Sequence, residues 1–202
     1  MKNYWIFIFG LIPSALFSAR MFIQWLLSER SKKVVSPVIY WQLSLIASFL
    51  MFVYGWLRAD FAIIFGQIFS YYIYIWNLNI LNHWRKINRL LRALFLLTPA
   101  IVISMFVINK GDDISRLWTD IEVGLLLFGT IGQITFTFRF VYQWWYSRKF
   151  NQSILPGGFW IISIVGSICN LIYGIIRMDL ILIINHGPGF ITYSRNLYIN
   201  RK

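Results

Sequence analysis

The chain has 202 residues and a formal net charge of +12; 58% of its residues are apolar and 13% are charged. Soluble domains carry about 25% charged and about 45–50% apolar residues, so this composition excludes an ordinary soluble enzyme, a disordered protein and a disulfide-stapled secreted domain. Seven spanning helices of about 20 residues would occupy about 140 residues and leave no room for a soluble catalytic domain. The chain is therefore predicted to be an integral membrane protein.

Seven apolar runs along the chain predict seven transmembrane helices. They cover residues 4–27, 38–56, 61–81, 93–108, 121–146, 158–176 and 180–199. The fourth run is short and follows the basic stretch 83–92. Pro13, Pro99 and Pro188, the last flanked by Gly187 and Gly189, are expected to interrupt the first, fourth and last helices. Broken helices in transporters point to a substrate path, and the alternative is a proline without a functional role, which spanning helices also tolerate.

A sequence repeat relates the first three runs to the last three at a fixed offset of 119 residues. R-x-x-x-Q-W-x-x-S begins at Arg20 and Arg139, P-x-x-x-W-x-x-S-x-x-x-S at Pro37 and Pro156, Y-G-x-x-R-x-D at Tyr54 and Tyr173, and Y-x-x-N-L at Tyr74 and Tyr193. Such spacing indicates a duplicated unit. The predicted repeats are 1–81 and 121–202, and between them 82–120 holds a basic loop, a linker helix and an acidic outer loop.

The number of helices in each unit determines how the two copies are oriented. Three helices alone would invert the second copy, but one linker helix restores its orientation, so the repeats are predicted to be parallel. This three-one-three layout is similar to that of the sugar-transporting SWEET proteins. The predicted fold is an all-α integral membrane protein of two parallel triple-helix repeats joined by a linker helix.

Positive charge is distributed unequally between the two sides of the predicted helices. Loops after the first, third, fifth and seventh helices carry eleven Lys or Arg residues and one acid, whereas the opposite side carries five Lys or Arg residues and six acids. Because cytoplasmic loops are rich in Lys and Arg, the N-terminus is predicted outside and the C-terminus in the cytoplasm. This clustering in loops also argues against a nucleic-acid partner.

Three arginines, Arg20, Arg139 and Arg195, fall inside the predicted helices at similar depth, near the inner headgroup boundary. A charge at the bilayer centre costs about 3 kcal/mol or more, and less near the interface. Two interpretations stay open. Either each side chain snorkels to lipid phosphate, or the guanidiniums form a binding site for an anionic headgroup, which suits their two-pronged geometry.

Further polar side chains in the predicted helices are candidates to line the same site. They are Gln24, Gln143, Tyr74, Asn77, Tyr193 and Asn196. Amides in spanning helices either bond between helices or line a cavity, and both alternatives stay open. Ser44, Ser48, Ser163 and Ser167, together with Gly166, are expected to serve close helix packing.

Tryptophans bracket the predicted cytoplasmic loops. The candidates for stacking on sugar rings are Trp25, Trp41, Trp144 and Trp160, with an interfacial belt as the alternative. The candidates in the outer loops are Arg58, Asp60, Arg177 and Asp179. The two aspartates are expected to cap the next helix, with a gate or a sugar contact as the alternative.

Residues for catalysis or metal binding are not found in the sequence. It contains no nucleophile–base pair and no paired carboxylates on one helix face, so no catalytic residue is assigned. His83 and His186 stand alone without metal-ligand spacing, and no metal or cofactor is expected. Cys169 lies in an apolar run and is expected to be a small buried residue.

The four motifs together resemble two copies of the lipid A biosynthesis N-terminal domain, a family grouped with PQ-loop and SWEET-like transporters. The family name comes from copies fused to lipid-A-disaccharide synthase, whose glycosyltransferase portion is not found in this chain, so the resemblance implies a protein that is not an enzyme. The chain departs from the pattern at Trp76, where the second copy has Arg195. Neither Pro37 nor Pro156 is followed by the glutamine of the PQ-loop motif.

The resemblance implies a role in lipid A or cell-envelope glycolipid biosynthesis at the bacterial inner membrane. The favoured function is a transporter or flippase that binds a lipid-linked (polyprenyl-phosphate) sugar or a lipid A precursor. The alternatives are a non-catalytic membrane subunit of a glycosyltransferase and a SWEET-like carrier of free sugar. Arg195 is expected to contribute most among the three arginines, because Trp76 cannot replace it in the first copy.

Overall fold

The structure is a computed structural model that describes residues 4–58, 61–110, 123–178 and 180–200. Regular structure in these ranges consists of seven α-helices and one short 3₁₀ turn. The helices are α1 (Tyr4–Ser31), α2 (Val38–Arg58), α3 (Phe61–Ile80), α4 (Arg89–Lys110), α5 (Val123–Phe150), α6 (Gly157–Ile176) and α7 (Leu180–Asn200). The prediction of seven helices is confirmed.

Three helices, α1, α4 and α5, extend four residues past one end of the apolar run that predicted them. Both α1 and α5 are 28 residues long and include basic residues that follow their apolar runs, Arg30 in α1 and Arg148 and Lys149 in α5. Basic side chains in a last turn interact favourably with the helix dipole, so these helices continue past the apolar boundary. They are followed by Lys32 and Asn151, whose φ angles of 55° and 49° are left-handed, as is common just after a helix. The linker helix α4 begins at Arg89, four residues before its predicted start.

The prediction that prolines interrupt three helices is wrong. Pro13, Pro99 and Pro188 lie inside α1, α4 and α7, which continue through them. A proline removes one N–H donor and one helical hydrogen bond, and spanning helices tolerate this loss where neighbouring groups and helices hold the backbone. The prolines therefore mark no break in the described helices.

Helix packing follows the sequence repeat. In the first copy α1 packs on α2 and α2 on α3, and in the second α5 packs on α6 and α6 on α7. The copies contact each other through α3 with α5 and α1 with α7, while α4 packs on α2 and α3. Because α1 and α5 are equivalent, as are α3 and α7, the two interfaces between the copies use the same pair of repeat positions.

Close helix approach is also repeated. A Cβ on Gly10 would lie 2.5 Å from the ring of Tyr54, and a Cβ on Gly129 would lie 2.6 Å from the ring of Tyr173. Real Cβ atoms do not approach so closely, so each glycine leaves room for a tyrosine of the next helix. The first and second helices of each copy thus pack in the same way.

The surface of the bundle is apolar while many polar side chains are buried. Ile8 and Ile131 are each 60% exposed, whereas Gln24 and Gln143 are fully buried. Four helices of the described ranges are long and apolar enough to cross a membrane; their spans are Ile8–Ser31, Val38–Leu57, Arg89–Ile108 and Gly157–Ile176. Large exposed apolar surfaces mark contact with a membrane or another protein, so the arrangement suits an environment of lipid.

Candidate functional site

Each copy contributes one buried arginine to the inside of the bundle. Arg20 of α1 and Arg139 of α5 are each 3% exposed. The guanidinium carbon of Arg20 lies 5.4 Å from the centre of the Phe140 ring, and that of Arg139 lies 4.7 Å from the same centre. The two cations therefore share one aromatic ring, which attracts each of them through its negative face.

Arg20 is held by groups of its own copy. Its Nη1 donates to Ser44 Oγ at 2.5 Å. Its guanidinium carbon also lies 4.6 Å from the ring centre of Phe17, 5.0 Å from that of Tyr40 and 5.4 Å from that of Tyr74. The side chain thus lies among aromatic rings contributed by α1, α2 and α3.

Arg139 has an equivalent environment in the second copy. Its Nη1 donates to Ser163 Oγ at 3.4 Å and to Tyr193 Oη at 3.1 Å. Its guanidinium carbon lies 3.6 Å from the ring centre of Phe136 and 5.5 Å from that of Phe159. Each of these partners is the repeat equivalent of a partner of Arg20, but Phe159 takes the place of Tyr40 and lacks its hydroxyl.

The charge of these arginines is not balanced within the described ranges. The single carboxylate there, Glu29, forms its ion pair with Arg195. In addition, three buried atoms around the site, Arg20 Nε, Arg139 Nε and Tyr40 Oη, have no hydrogen-bond partner. Buried charges are normally paired, and buried polar atoms are normally hydrogen-bonded. The arrangement is thus suited to an anion that accepts hydrogen bonds.

One turn further along each first helix, a glutamine connects the two copies. Gln24 Nε2 donates to Asn196 Oδ1 at 2.9 Å, and Gln143 Nε2 donates to Asn77 Oδ1 at 3.0 Å. Each glutamine therefore bonds to the asparagine of the other copy. The amides bond between helices, which was one of the two alternatives open from the sequence.

The glutamines also fasten the loop that follows their own helix. Gln24 Nε2 donates to Ser28 Oγ at 2.9 Å and to the Val35 carbonyl at 3.2 Å. Gln143 Nε2 makes the equivalent bonds to Ser147 Oγ at 2.8 Å and to the Ile154 carbonyl at 3.0 Å.

These amides and hydroxyls, together with Ser36 and Ser153, form the polar seam between the two copies. Ser36 Oγ and Ser153 Oγ lie 2.8 Å apart and link the two loops.

The comparison with known families identifies the repeated unit. The model of the lipid A biosynthesis N-terminal domain matches residues 9–79 and again residues 128–198. Both matches are offset by the same 119 residues as the motifs, and together they cover more than half of the chain. The chain belongs to this family. Arg20, Gln24 and Asn77 lie in the first copy of the domain, and Arg139, Gln143 and Asn196 in the second.

The curated relatives of this two-copy chain are longer proteins. It is 29% identical to lipid-A-disaccharide synthase of Chlamydia felis, with 94% of this chain and 32% of the relative covered. It is 30% identical to lipid-A-disaccharide synthase of Chlamydia muridarum, with 96% of this chain and 34% of the relative covered. The chain spans about a third of the length of these relatives. No solved structure matches it significantly.

Arg195 of the second domain copy does not join the other two arginines. Its side chain is 47% exposed and pairs with Glu29, with Nη2 donating to Oε2 at 3.1 Å and Nε donating to Oε1. Arg20 and Arg139, in contrast, are buried. The expectation that all three arginines act together, with Arg195 contributing most, therefore has no support in the described geometry.

The four tryptophans proposed for sugar stacking occupy two environments. Trp41 and Trp160 are fully buried beside the site, with ring centres 6.0 Å and 6.3 Å from those of Tyr74 and Tyr193. Trp25 and Trp144 are half-buried near the ends of α1 and α5. Trp25 Nε1 donates to Glu29 Oε1 at 3.2 Å, and the Arg148 guanidinium carbon lies 5.4 Å from the Trp144 ring centre.

Of the four outer-loop candidates, the structure describes the side chain of Arg177 alone. Asp60 and Asp179 lie outside the described residues, as does the side chain of Arg58. Arg177 is exposed and directly follows α6. Among the described residues, no three His, Cys, Asp or Glu side chains come together as metal ligands.

Several site residues were not found from the sequence. Tyr40, Phe136 and Phe140 surround the guanidiniums but are not fixed residues of any of the four motifs. The serines expected to serve helix packing each form a hydrogen bond: Ser44 and Ser163 accept from the arginines, and Ser48 and Ser167 bond to Gln67 and to the His186 carbonyl. A signal was present, because arginine and serine are 24 residues apart in both copies.

Proposed function

We propose that the protein is a membrane transporter or flippase of lipid A or related cell-envelope glycolipid biosynthesis. It would bind the anionic headgroup of a lipid-linked sugar or a lipid A precursor between Arg20 and Arg139. The observation that carries this proposal is the burial of both guanidiniums around one ring, away from any carboxylate of the described ranges. No catalytic step is assigned to the chain.

Energetics support an anionic ligand. An isolated buried cation is strongly unfavourable, and cation–π contacts contribute only about 0.5–2 kcal/mol each. A phosphate would offer acceptor oxygens to the two unpartnered Nε atoms and to the Tyr40 hydroxyl. A hydrogen bond to a charged group contributes about 1.5–3 kcal/mol. A neutral sugar would leave both charges uncompensated, which disfavours the free-sugar carrier.

The proposed setting is the bacterial inner membrane, with the N-terminus outside and the C-terminus in the cytoplasm. The excess of Lys and Arg on one side of the helices supports this orientation. The exposed apolar surface and the four helices long enough to span support the membrane setting. The names of the relatives support the link to lipid A biosynthesis.

The proposed architecture is two parallel triple-helix units joined by a linker helix, as in PQ-loop and SWEET-like transporters. The two equivalent interfaces, α3 with α5 and α1 with α7, support this arrangement. Rocking of one unit against the other would open and close a path at these interfaces, as in transporters built from repeats. The polar seam of glutamine, asparagine and serine side chains would then have to separate on one side of the path.

Liposomes containing the purified protein test the proposal. A fluorescent polyprenyl-diphosphate sugar is placed in both leaflets, and a membrane-impermeant quencher reports how fast the lipid exchanges between them. We expect exchange with the wild type and with Arg85→Gln, which removes an exposed arginine outside the site. Arg20→Gln and Arg139→Gln are expected to lower the rate about tenfold. If liposomes with the wild-type protein exchanged lipid no faster than protein-free liposomes, the flippase proposal would be contradicted.

A second candidate function is a non-catalytic membrane subunit of a glycosyltransferase. It is favoured by the relatives, which match this chain over about a third of a longer synthase. Such a subunit would raise the activity of a co-reconstituted glycosyltransferase without moving lipid between leaflets. Flux of radiolabelled free sugar in the same liposomes would indicate the third possibility, a SWEET-like carrier.

A further inference from the structure

The charge of the bound headgroup can be deduced from the buried cations. Resting on the proposed function, we infer that the headgroup between Arg20 and Arg139 carries two negative charges. The substrate class is then a lipid phosphomonoester or a lipid diphosphate, and a singly charged phosphodiester is a poor ligand.

The charge balance of the described ranges is the first argument. Two buried guanidiniums bring two positive charges, and Glu29 is engaged by Arg195 at the surface. The other six acidic residues of the sequence come after the ends of α2, α4 and α6. Ser44, which accepts a hydrogen bond from Arg20, lies 14 residues before the end of α2. At a rise of 1.5 Å per residue, the end of α2 is therefore about 21 Å from Ser44. A phosphodiester would neutralise one of the two cations and leave the other buried and unpaired, which is costly.

The unused donors are the second argument. Each arginine uses Nη1 to hold a serine of its own copy, and its Nε has no partner. The Nε edge of a guanidinium belongs to the two-pronged face that binds phosphate oxygens. The guanidinium carbons of Arg20 and Arg139 lie 5.4 Å and 4.7 Å from the Phe140 ring centre, so the inference assigns both edges to one headgroup. Two phosphate groups, or the doubly charged end of one, would use both.

The Tyr40 hydroxyl makes the two halves of the site unequal. It is fully buried without a hydrogen-bond partner, and its ring centre lies 5.0 Å from the guanidinium carbon of Arg20. The equivalent residue, Phe159, has no hydroxyl. The Arg20 side therefore offers one more donor than the Arg139 side. The end of the headgroup with more free phosphate oxygens is therefore expected on the Arg20 side.

Binding of three lipids that share one polyprenyl chain tests this inference. They are polyprenyl phosphate, a polyprenyl-diphosphate hexose with two charges and a polyprenyl-phosphate hexose, with neutral polyprenol to measure binding of the chain alone. A phosphomonoester carries about −1.5 to −2 charges at pH 7, whereas the hexose phosphodiester carries one. With purified protein in detergent, the first two lipids are expected to bind about tenfold or more tightly than the singly charged polyprenyl-phosphate hexose.

Variants of the site separate charge matching from other causes. Arg20→Gln and Arg139→Gln should each bring the three affinities to within about twofold, because one cation remains. Tyr40→Phe should weaken the binding of the two dianions about tenfold. It should keep the fold, because phenylalanine already occupies the equivalent position, Phe159, in the second copy. Arg85→Gln should bind like the wild type.

The possible outcomes are distinguishable. Equal affinity of the wild type for the hexose phosphodiester and the two dianions would overturn the charge inference and leave an anion site. Affinities of all three lipids no greater than that of polyprenol would overturn the proposed function itself. A preference for dianions that persists in Arg20→Gln and Arg139→Gln would place the dianion site elsewhere and so contradict the inference.

Discussion

Asn77 and Gln143 exchange two hydrogen bonds across the boundary between the domain copies. Asn77 Nδ2 donates to Gln143 Oε1 at 3.1 Å, and Gln143 Nε2 donates to Asn77 Oδ1 at 3.0 Å. The equivalent residues, Gln24 and Asn196, share one bond of 2.9 Å, and Gln24 Oε1 has no partner. The two interfaces are therefore equivalent in position and unequal in hydrogen bonding.

This inequality predicts different costs for the same substitution in the two copies. Asn77→Leu would leave the buried Gln143 Oε1 without a partner, and we expect the free energy of unfolding to fall by about 1–3 kcal/mol. Asn196→Leu removes one bond from Gln24 Nε2, which keeps its bonds to Ser28 and Val35, so about 1 kcal/mol is expected. Thermal unfolding in detergent compares the two variants.

Double-mutant cycles are the control for this prediction. The coupling between Asn77 and Gln143 should exceed that between Gln24 and Asn196. Equal coupling energies would mean that the unequal hydrogen bonding does not affect stability.

A second prediction concerns the packing of α5 on α6. A Cβ on Gly166 would lie 2.7 Å from the backbone N and Cα atoms of Phe136, so Gly166→Ala must push the helices apart. We expect a loss of about 1–3 kcal/mol in the free energy of unfolding. Gly124→Ala, on α5, is the control, because a Cβ on Gly124 would meet nothing within 4 Å. Equal melting temperatures for the two variants would show that the close approach is not needed.

A third prediction separates stability from binding at the arginines. Without a ligand, Arg20 is a buried cation with an unpartnered Nε, so Arg20→Gln removes an unfavourable charge together with its cation–π contacts. Functional sites often reduce stability in this way. We expect the melting temperature of the ligand-free variant to match or exceed that of the wild type. Added polyprenyl phosphate should raise the melting temperature of the wild type much more than that of the variant. A large loss of stability in ligand-free Arg20→Gln would instead indicate a structural arginine.

A fourth prediction concerns orientation in the membrane. The half-buried Cys169 is first replaced by serine, and single cysteines are then placed at Lys33 and Lys149. These exposed positions lie at the same ends of the equivalent helices α1 and α5. We expect a membrane-impermeant thiol reagent to label both in inside-out vesicles and neither in intact cells. Labelling of either position from outside would reverse the proposed orientation.

The sequence predicted the helices well and their ends poorly. Apolar runs report contact with lipid or with the protein interior, so they detect the seven helices. They do not report where the backbone leaves the helix, which is why Lys32 and Asn151, just past α1 and α5, lay beyond the predicted ends. The prediction that prolines interrupt three helices failed because a continuous packed helix can tolerate the loss of one N–H donor.

The sequence repeat identified Arg20 and Arg139, but their predicted depth in the membrane wrongly grouped Arg195 with them. Tyr193 and Asn196 are three residues apart on α7 and share its buried face. Arg195 is two residues after Tyr193, about 200° around the helix, so it faces away from the site and reaches Glu29. Helix periodicity would have separated Arg195 from the buried face. The ring of Phe140 had no comparable signal, since nothing in an apolar run tells which ring will face a guanidinium.

The most direct test of an anionic headgroup site is the affinity of purified protein for polyprenyl phosphate in three Arg→Lys variants. Lysine keeps the positive charge and loses the two-pronged geometry. We expect Arg20→Lys and Arg139→Lys to bind about tenfold or more weakly than the wild type. Arg195→Lys should bind like the wild type, because Arg195 is exposed and paired with Glu29. Wild-type affinity in both Arg20→Lys and Arg139→Lys would contradict a headgroup site at the buried arginines.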